Sequence, residues 1–110
     1  MSNTDFLDPI MPGEILRDDF MEPMGISMNQ MSRDIAVPPN RISEIINGKR
    51  GITADTALRL ERYFGIEAQF WLNLQSEYDL RIIKRKIGAD IEQRILPVKK
   101  NIAQPIPAEV

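Results

Sequence analysis

Cysteine and histidine are both absent from this 110-residue chain. The first absence removes disulfides and thiolate chemistry, the second removes imidazole acid–base catalysis, and together they take away the usual zinc ligands. No apolar run approaches the roughly 18 residues that cross a bilayer, and no basic stretch precedes an apolar one at the N-terminus. Carboxylates are plentiful, yet nothing sets two of them in a cleft or pairs a nucleophile with a base. The resulting expectation is a cytoplasmic protein that is not an enzyme, needs no cofactor or metal, and makes no membrane contact.

Strand alternation, hairpin turn signals and internal repeats are also missing. What remains is helical periodicity in a chain of one-domain length, with enough apolar residues (43%) for one small core. The formal net charge is −2, but it is unevenly spread. Met1 to Glu22 carries Asp5, Asp8, Glu14, Asp18, Asp19 and Glu22 against Arg17, whereas Gln30 to Arg50 and the stretch after Leu80 are net basic.

The sequence predicts an all-α protein of five short helices around one core. Residues 1–11, acidic and aperiodic, are expected to be a mobile segment, 12–87 the folded domain, and 88–110 an extension and tail. Pro12 suits the first position of a helix that runs to about Glu22, turns Ile15, Leu16 and Phe20 inward and stops at Pro23 and Gly25. Ser27 caps a second helix from Met28 to about Ala36, which Pro38 ends because the residue before a proline is pushed out of helical geometry. Pro39 starts a third helix with Ile42, Ile45 and Ile46 on one face, closing at Gly48. Thr53 caps a fourth, ending at Gly65, and a fifth begins near Glu67 with Phe70, Trp71 and Leu74 inward and runs to about Ile87. A separate sixth helix is expected after Gly88, in "ADIEQRIL", and none in the proline-bearing tail.

The stretch "MSRDIAVPPNRISEIINGKRG" joins two helices by a short turn, the helix-turn-helix arrangement in which the second helix enters the DNA major groove by its N-terminal end. Its outer face would carry Pro39, Asn40, Arg41, Ser43, Glu44 and Asn47. Arg41 has the fork for guanine, Asn40 the amide for adenine, Glu44 an acceptor for a cytosine amine, and Pro39 an apolar edge for a thymine methyl. Ser43, Asn47, Lys49 and Arg50 would hold phosphates, with Ser27 and Asn29 at the start of the second helix. A plain corner with solvated charges is the competing account of the same residues.

"MPGEILRDDFMEPMGIS", "PPNRISEIINGKRGITADTALRLERYFG" and above all "FWLNLQSEYDLR" resemble the HigA-type antitoxins, the plasmid-maintenance antidote proteins among xenobiotic-response-element helix-turn-helix repressors. The resemblance runs from about Met11 to Lys86. It implies a compact five-helix repressor-like DNA-binding domain with a C-terminal helical extension, a homodimer on palindromic operator DNA, autorepression, and neutralisation of a RelE-like messenger-RNA interferase toxin. It also implies pairing of subunits near the end of the fifth helix, through Leu80, Ile82 and Ile83. An antitoxin that binds its toxin but no operator is the alternative. Three positions depart from the family pattern: Met28 replaces a glutamine that clamps phosphate, and Ser32 and Ala36 stand for alanine and glycine. A thioether cannot donate that hydrogen bond, Ser32 must bond back to a carbonyl if buried, and Ala36 lacks the freedom of glycine at positive φ. The acidic N-terminal segment either meets a basic toxin or only solubilises, and Arg81, Lys84, Arg85 and Lys86 either touch a partner or complete a solvated helix end.

Overall fold

The computed structural model describes residues 8–99, so the tail from residue 100 and residues 1–7 of the acidic N-terminal segment lie outside the described residues. The described chain is all helical. The first helix, α1, joins an α-helical turn Pro12–Ile15, a π-helical stretch Leu16–Met21 and a final turn Glu22–Met24. Then follow α2 (Met28–Asp34), α3 (Pro39–Ile46), α4 (Ala54–Phe64) and α5 (Ala68–Arg94).

Helix α1 differs from the expected helix in two ways. Leu16 and Met21, five residues apart, are both buried, while Ile15 and Phe20 are only partly so. Bonding from i to i+5 explains this, since it brings residues five apart onto one face: the Glu22 amide donates to the Arg17 carbonyl. The helix also continues through Pro23 to Met24. A proline ring normally collides with the carbonyl four residues back, and the widened turn before it moves that carbonyl aside. Gly25, at φ 67°, ends the helix.

Helices α2 and α3 end in the same way. In α2 the Val37 amide bonds to the Ser32 carbonyl at 3.0 Å and the Ala36 amide to Arg33 at 3.3 Å. In α3 Lys49 bonds back to Glu44 at 2.8 Å and Gly48 to Ile45 at 3.1 Å. This double closure requires a left-handed residue after the cap. Gly48 supplies it at φ 77° without strain, whereas Ala36 is held at φ 60° against its own Cβ. Helix α2 therefore stops at Asp34, short of the expected end. Ser32, 3% exposed, satisfies its buried hydroxyl as the sequence requires, donating to the Asn29 carbonyl at 2.9 Å.

The core is a single cluster in which Leu16, Met31, Ile42, Ile45, Leu60 and Trp71 are fully buried. The Trp71 ring lies 4.9 Å from Phe20 and 5.0 Å from Phe70 between centroids, and its indole N–H finds no hydrogen-bond partner among the described residues. Phe70 only edges this cluster and stays 37% exposed. Two contacts fix the position of α3. A Cβ on Gly13 would stand 2.0 Å from the Ile45 carbonyl oxygen, so α1 lies backbone against backbone on the last turn of α3. Gln75, the last residue of "FWLNLQ", accepts the Ile52 amide through Oε1 at 2.8 Å and so ties the loop after α3 to α5.

Helix α5 passes Gly88 without a break, so the expected separate sixth helix is its C-terminal end. Glycine costs only about 1 kcal/mol inside a helix, too little to stop one supported by its neighbours. Leu80, Ile83, Ile87 and Ile91 lie along one exposed side of α5. Ile82, on the opposite side, is partly buried.

Replacing Gly13 with alanine must push α1 off α3, and we expect a loss of about 3 kcal/mol, read from denaturant unfolding. Replacing Ala36 with glycine relieves the left-handed strain and should raise stability by about 1 kcal/mol in the same assay.

Candidate nucleic-acid interface

Helix α3 begins with Pro38 extended (φ −62°, ψ 145°) as its cap and Pro39 as its first residue. Since neither proline has an amide to donate, the turn needs no partner for them, and the chain enters the helix already set at the φ of proline. The first turn thus stands outward. Pro39 and Asn40 are exposed there, while Arg41 and Glu44 are partly covered. No hydrogen bond of the Asn40 side-chain amide occurs among the described residues; the Asn40 main-chain carbonyl accepts from the Ser43 hydroxyl at 3.2 Å.

The structure places the two charged reading candidates in ion pairs. Arg50 Nη2 lies 2.8 Å from Glu44 Oε1, which fixes Glu44 at one end of the helix face and takes up part of the Arg50 charge. Arg41 Nη1 lies 3.4 Å from Asp55 Oδ1 at the start of α4, and the Arg41 side chain is 24% exposed. The same Asp55 oxygen accepts from Arg59 Nε at 2.5 Å, and Arg59 Nη1 donates in turn to the carbonyls of Ile35 at 2.8 Å and Ala36 at 3.1 Å. Arg59, by its hydrogen bond and then its charge, with Arg41 adding a smaller share, holds the Asp55 carboxyl below the usual carboxylate range despite partial desolvation. A charged strut therefore runs from the end of α2 through α4 to the first turn of α3.

Of the phosphate candidates, Ser27 caps α2 and Asn29 lies in its first turn, Ser43 lies within α3, and Asn47, Lys49 and Arg50 follow its end. Ser27 accepts the Gln30 amide at 3.0 Å as the α2 cap, leaving its hydroxyl proton to donate elsewhere. Asn29, Asn47, Lys49 and Arg50 are exposed and Ser43 partly so. Met28, 43% exposed, opens α2. Among the described residues no group of three or more acidic, His or Cys side chains is arranged to hold a metal, and no helix is long and apolar enough to cross a membrane. An open groove of about 710 Å³ lies against the strut, lined by Arg59, Arg62, Leu58 and Tyr63 among others. On its rim the Tyr63 hydroxyl donates to Asp34 at 2.5 Å, and this bond pushes the phenol up to about 12.

Asp55, Arg59 and Gln75 are the residues that sequence reasoning missed. Asp55 and Arg59 stand four apart on one helix, a visible pairing signal. Nothing in the sequence links them to Arg41 or Gln75 to Ile52.

A helix-turn-helix family model matches residues 19–71. Virulence-associated protein I of Dichelobacter nodosus is 54% identical over 76 residues, covering 69% of this chain and 70% of that one. Among solved structures, an addiction module antidote protein of the HigA family from Coxiella burnetii superposes with a TM-score of 0.79 at 46% identity, covering 84% of this chain and all of that one (100%). The Pseudomonas aeruginosa antitoxin HigA with higBA promoter does so with a TM-score of 0.79 at 47% identity, over 82% of this chain and 98% of that one. At 46% and 47% identity over nearly the whole of those two HigA chains, this chain belongs to the HigA family of helix-turn-helix antitoxins.

Proposed function

We propose that the chain is a sequence-specific DNA-binding repressor of its own operon and the antitoxin of a toxin–antitoxin module, neutralising a RelE-like messenger-RNA interferase. The observation that carries the DNA half is the first turn of α3, where an exposed Asn40 with an unpartnered amide stands beside an Arg41 held in place on a rigid helix pair. The likeness to an antitoxin HigA with higBA promoter supports the same reading. Asn40 and Arg41 read base edges, with Pro39 and Glu44 beside them, while Ser27, Asn29, Ser43, Asn47, Lys49 and Arg50 hold the phosphate backbone. The exposed carboxylates Asp18, Asp19 and Glu22 on α1 offer charge complementarity to a basic toxin. Residues 12–87 form the working unit and 88–110 its extension.

Leu80 and Ile83, with Ile87 and Ile91 continuing the same row, pair two subunits along α5, and Ile82 supports that row from the domain side. An isologous dimer sets its two α3 helices about 34 Å apart, one turn of B-DNA, and therefore selects a palindrome. The exposed Met28, which cannot donate to a phosphate, favours the second reading, in which the chain neutralises a toxin without holding an operator.

In a mobility shift with its own promoter, we expect retention by the wild-type chain and a loss of about 100-fold in affinity for the Asn40→Ala, Arg41→Ala double variant. Full affinity in that variant removes the assigned readout. Absence of any shift at low salt, with co-purification of the basic protein encoded next to it, selects the second reading. Ile83→Glu with Ile87→Glu should yield a folded monomer by analytical ultracentrifugation; an unchanged dimer would move the interface elsewhere.

A further inference from the structure

We infer that Asp55 is a specificity-determining positioning residue, which holds the Arg41 guanidinium on a base edge and keeps it off the phosphate backbone. The inference deepens the DNA-reading role proposed above and rests on it.

An arginine beside duplex DNA is drawn to phosphate, because the backbone carries one charge per about 1.7 Å of helix axis while a base offers only local acceptors. Discrimination therefore needs something that resists this pull. Asp55 has the geometry for it. It contacts Arg41 through one terminal nitrogen only, at 3.4 Å, and so leaves most of the five guanidinium N–H groups available for a guanine edge. It does not neutralise Arg41 outright, because the same oxygen is already held by Arg59. Arg41, Asp55 and Arg59 together remain cationic. Nor can Asp55 follow Arg41 outward, since Arg59 is bonded to the carbonyls of Ile35 and Ala36. The Asp55 side chain is 55% exposed, so at the groove it also repels the phosphates to which a loosened Arg41 would turn.

The signature is a trade of discrimination for non-specific affinity. Asp55→Asn keeps shape and loses charge. We expect it to bind scrambled duplex more tightly, to lower the ratio of promoter to scrambled affinity by about tenfold, and to steepen the dependence of log K on log salt by about 0.9, one added phosphate contact. In an Arg41→Ala background the same change should leave the ratio unmoved, as a double-mutant cycle requires of a residue acting through another. A purely structural role for Asp55 would weaken both DNAs together and leave the slope alone. Asp55→Ser, which keeps a helix-compatible first turn, replaces the asparagine variant if thermal melting finds that one unfolded. A ratio that holds within twofold, or one that falls equally without Arg41, overturns the assignment of Asp55. Failure of the wild-type chain to discriminate its promoter overturns the repressor reading itself, and this assignment with it.

Discussion

The place of α3 rests on a contact with no side chain in it. Gly13 lets the first turn of α1 lie directly on the carbonyl of Ile45 and the backbone of Ile46, nearer than any Cβ would permit. Because α1 also delivers Leu16 and Met21 into the core, α3 is packed on one side by its isoleucines and fixed from the other by main chain. Main-chain contacts have no rotamers to change, so this one sets a distance more sharply than a layer of side chains does. The left-handed Gly48 that closes α3 sits beside it, with a place for Cβ already taken by the Met11 sulfur.

Around this fixed point the polar contacts act at the two ends of α3. At its start, the strut through Asp55 and Arg59 reaches back to the carbonyls of α2, so the turn between the helices is spanned by charge as well as by prolines. At its end, Gln75 meets the Ile52 amide and Arg50 folds onto Glu44. Exposed ion pairs such as these add little to stability by charge alone. Their weight here lies in geometry: they keep both ends of α3 from rocking against the helices around it.

Much of this could be read directly from the residues. The prolines at 12 and 39, the Ser27 and Thr53 caps and the glycines at 25, 48 and 65 bound the helices because each acts on backbone within its own turn. The isoleucine spacing of α3 gave its buried face for the same reason, and the outward first turn followed from it. What stayed hidden depends on residues distant in sequence. Glu44 and Arg41 carry the chemistry of base readers, but only the fold reveals that Arg50 and Asp55 engage them. The run of α5 past Gly88 was not legible because the local cost of a glycine is outweighed by the helix-forming residues on either side of it, and the exposure of Phe70 because helical spacing places a ring near the core without saying how much of it the neighbours cover. Ala36 was legible as a departure from the family, though not as a residue that takes the left-handed conformation all the same.

The π stretch Leu16–Met21 works as a phase shifter. A regular helix advances about 100° per residue, so Gly13 and Met21 on an unbroken α-helix could not both face where they do. One turn wound with an added residue rotates the start of α1 against its end, aiming the glycine at α3 while the methionine enters the core. The length of this segment is therefore under tighter constraint than its composition: conservative exchanges within it preserve the phase, and loss of a single residue turns the Gly13 surface away from the helix it supports.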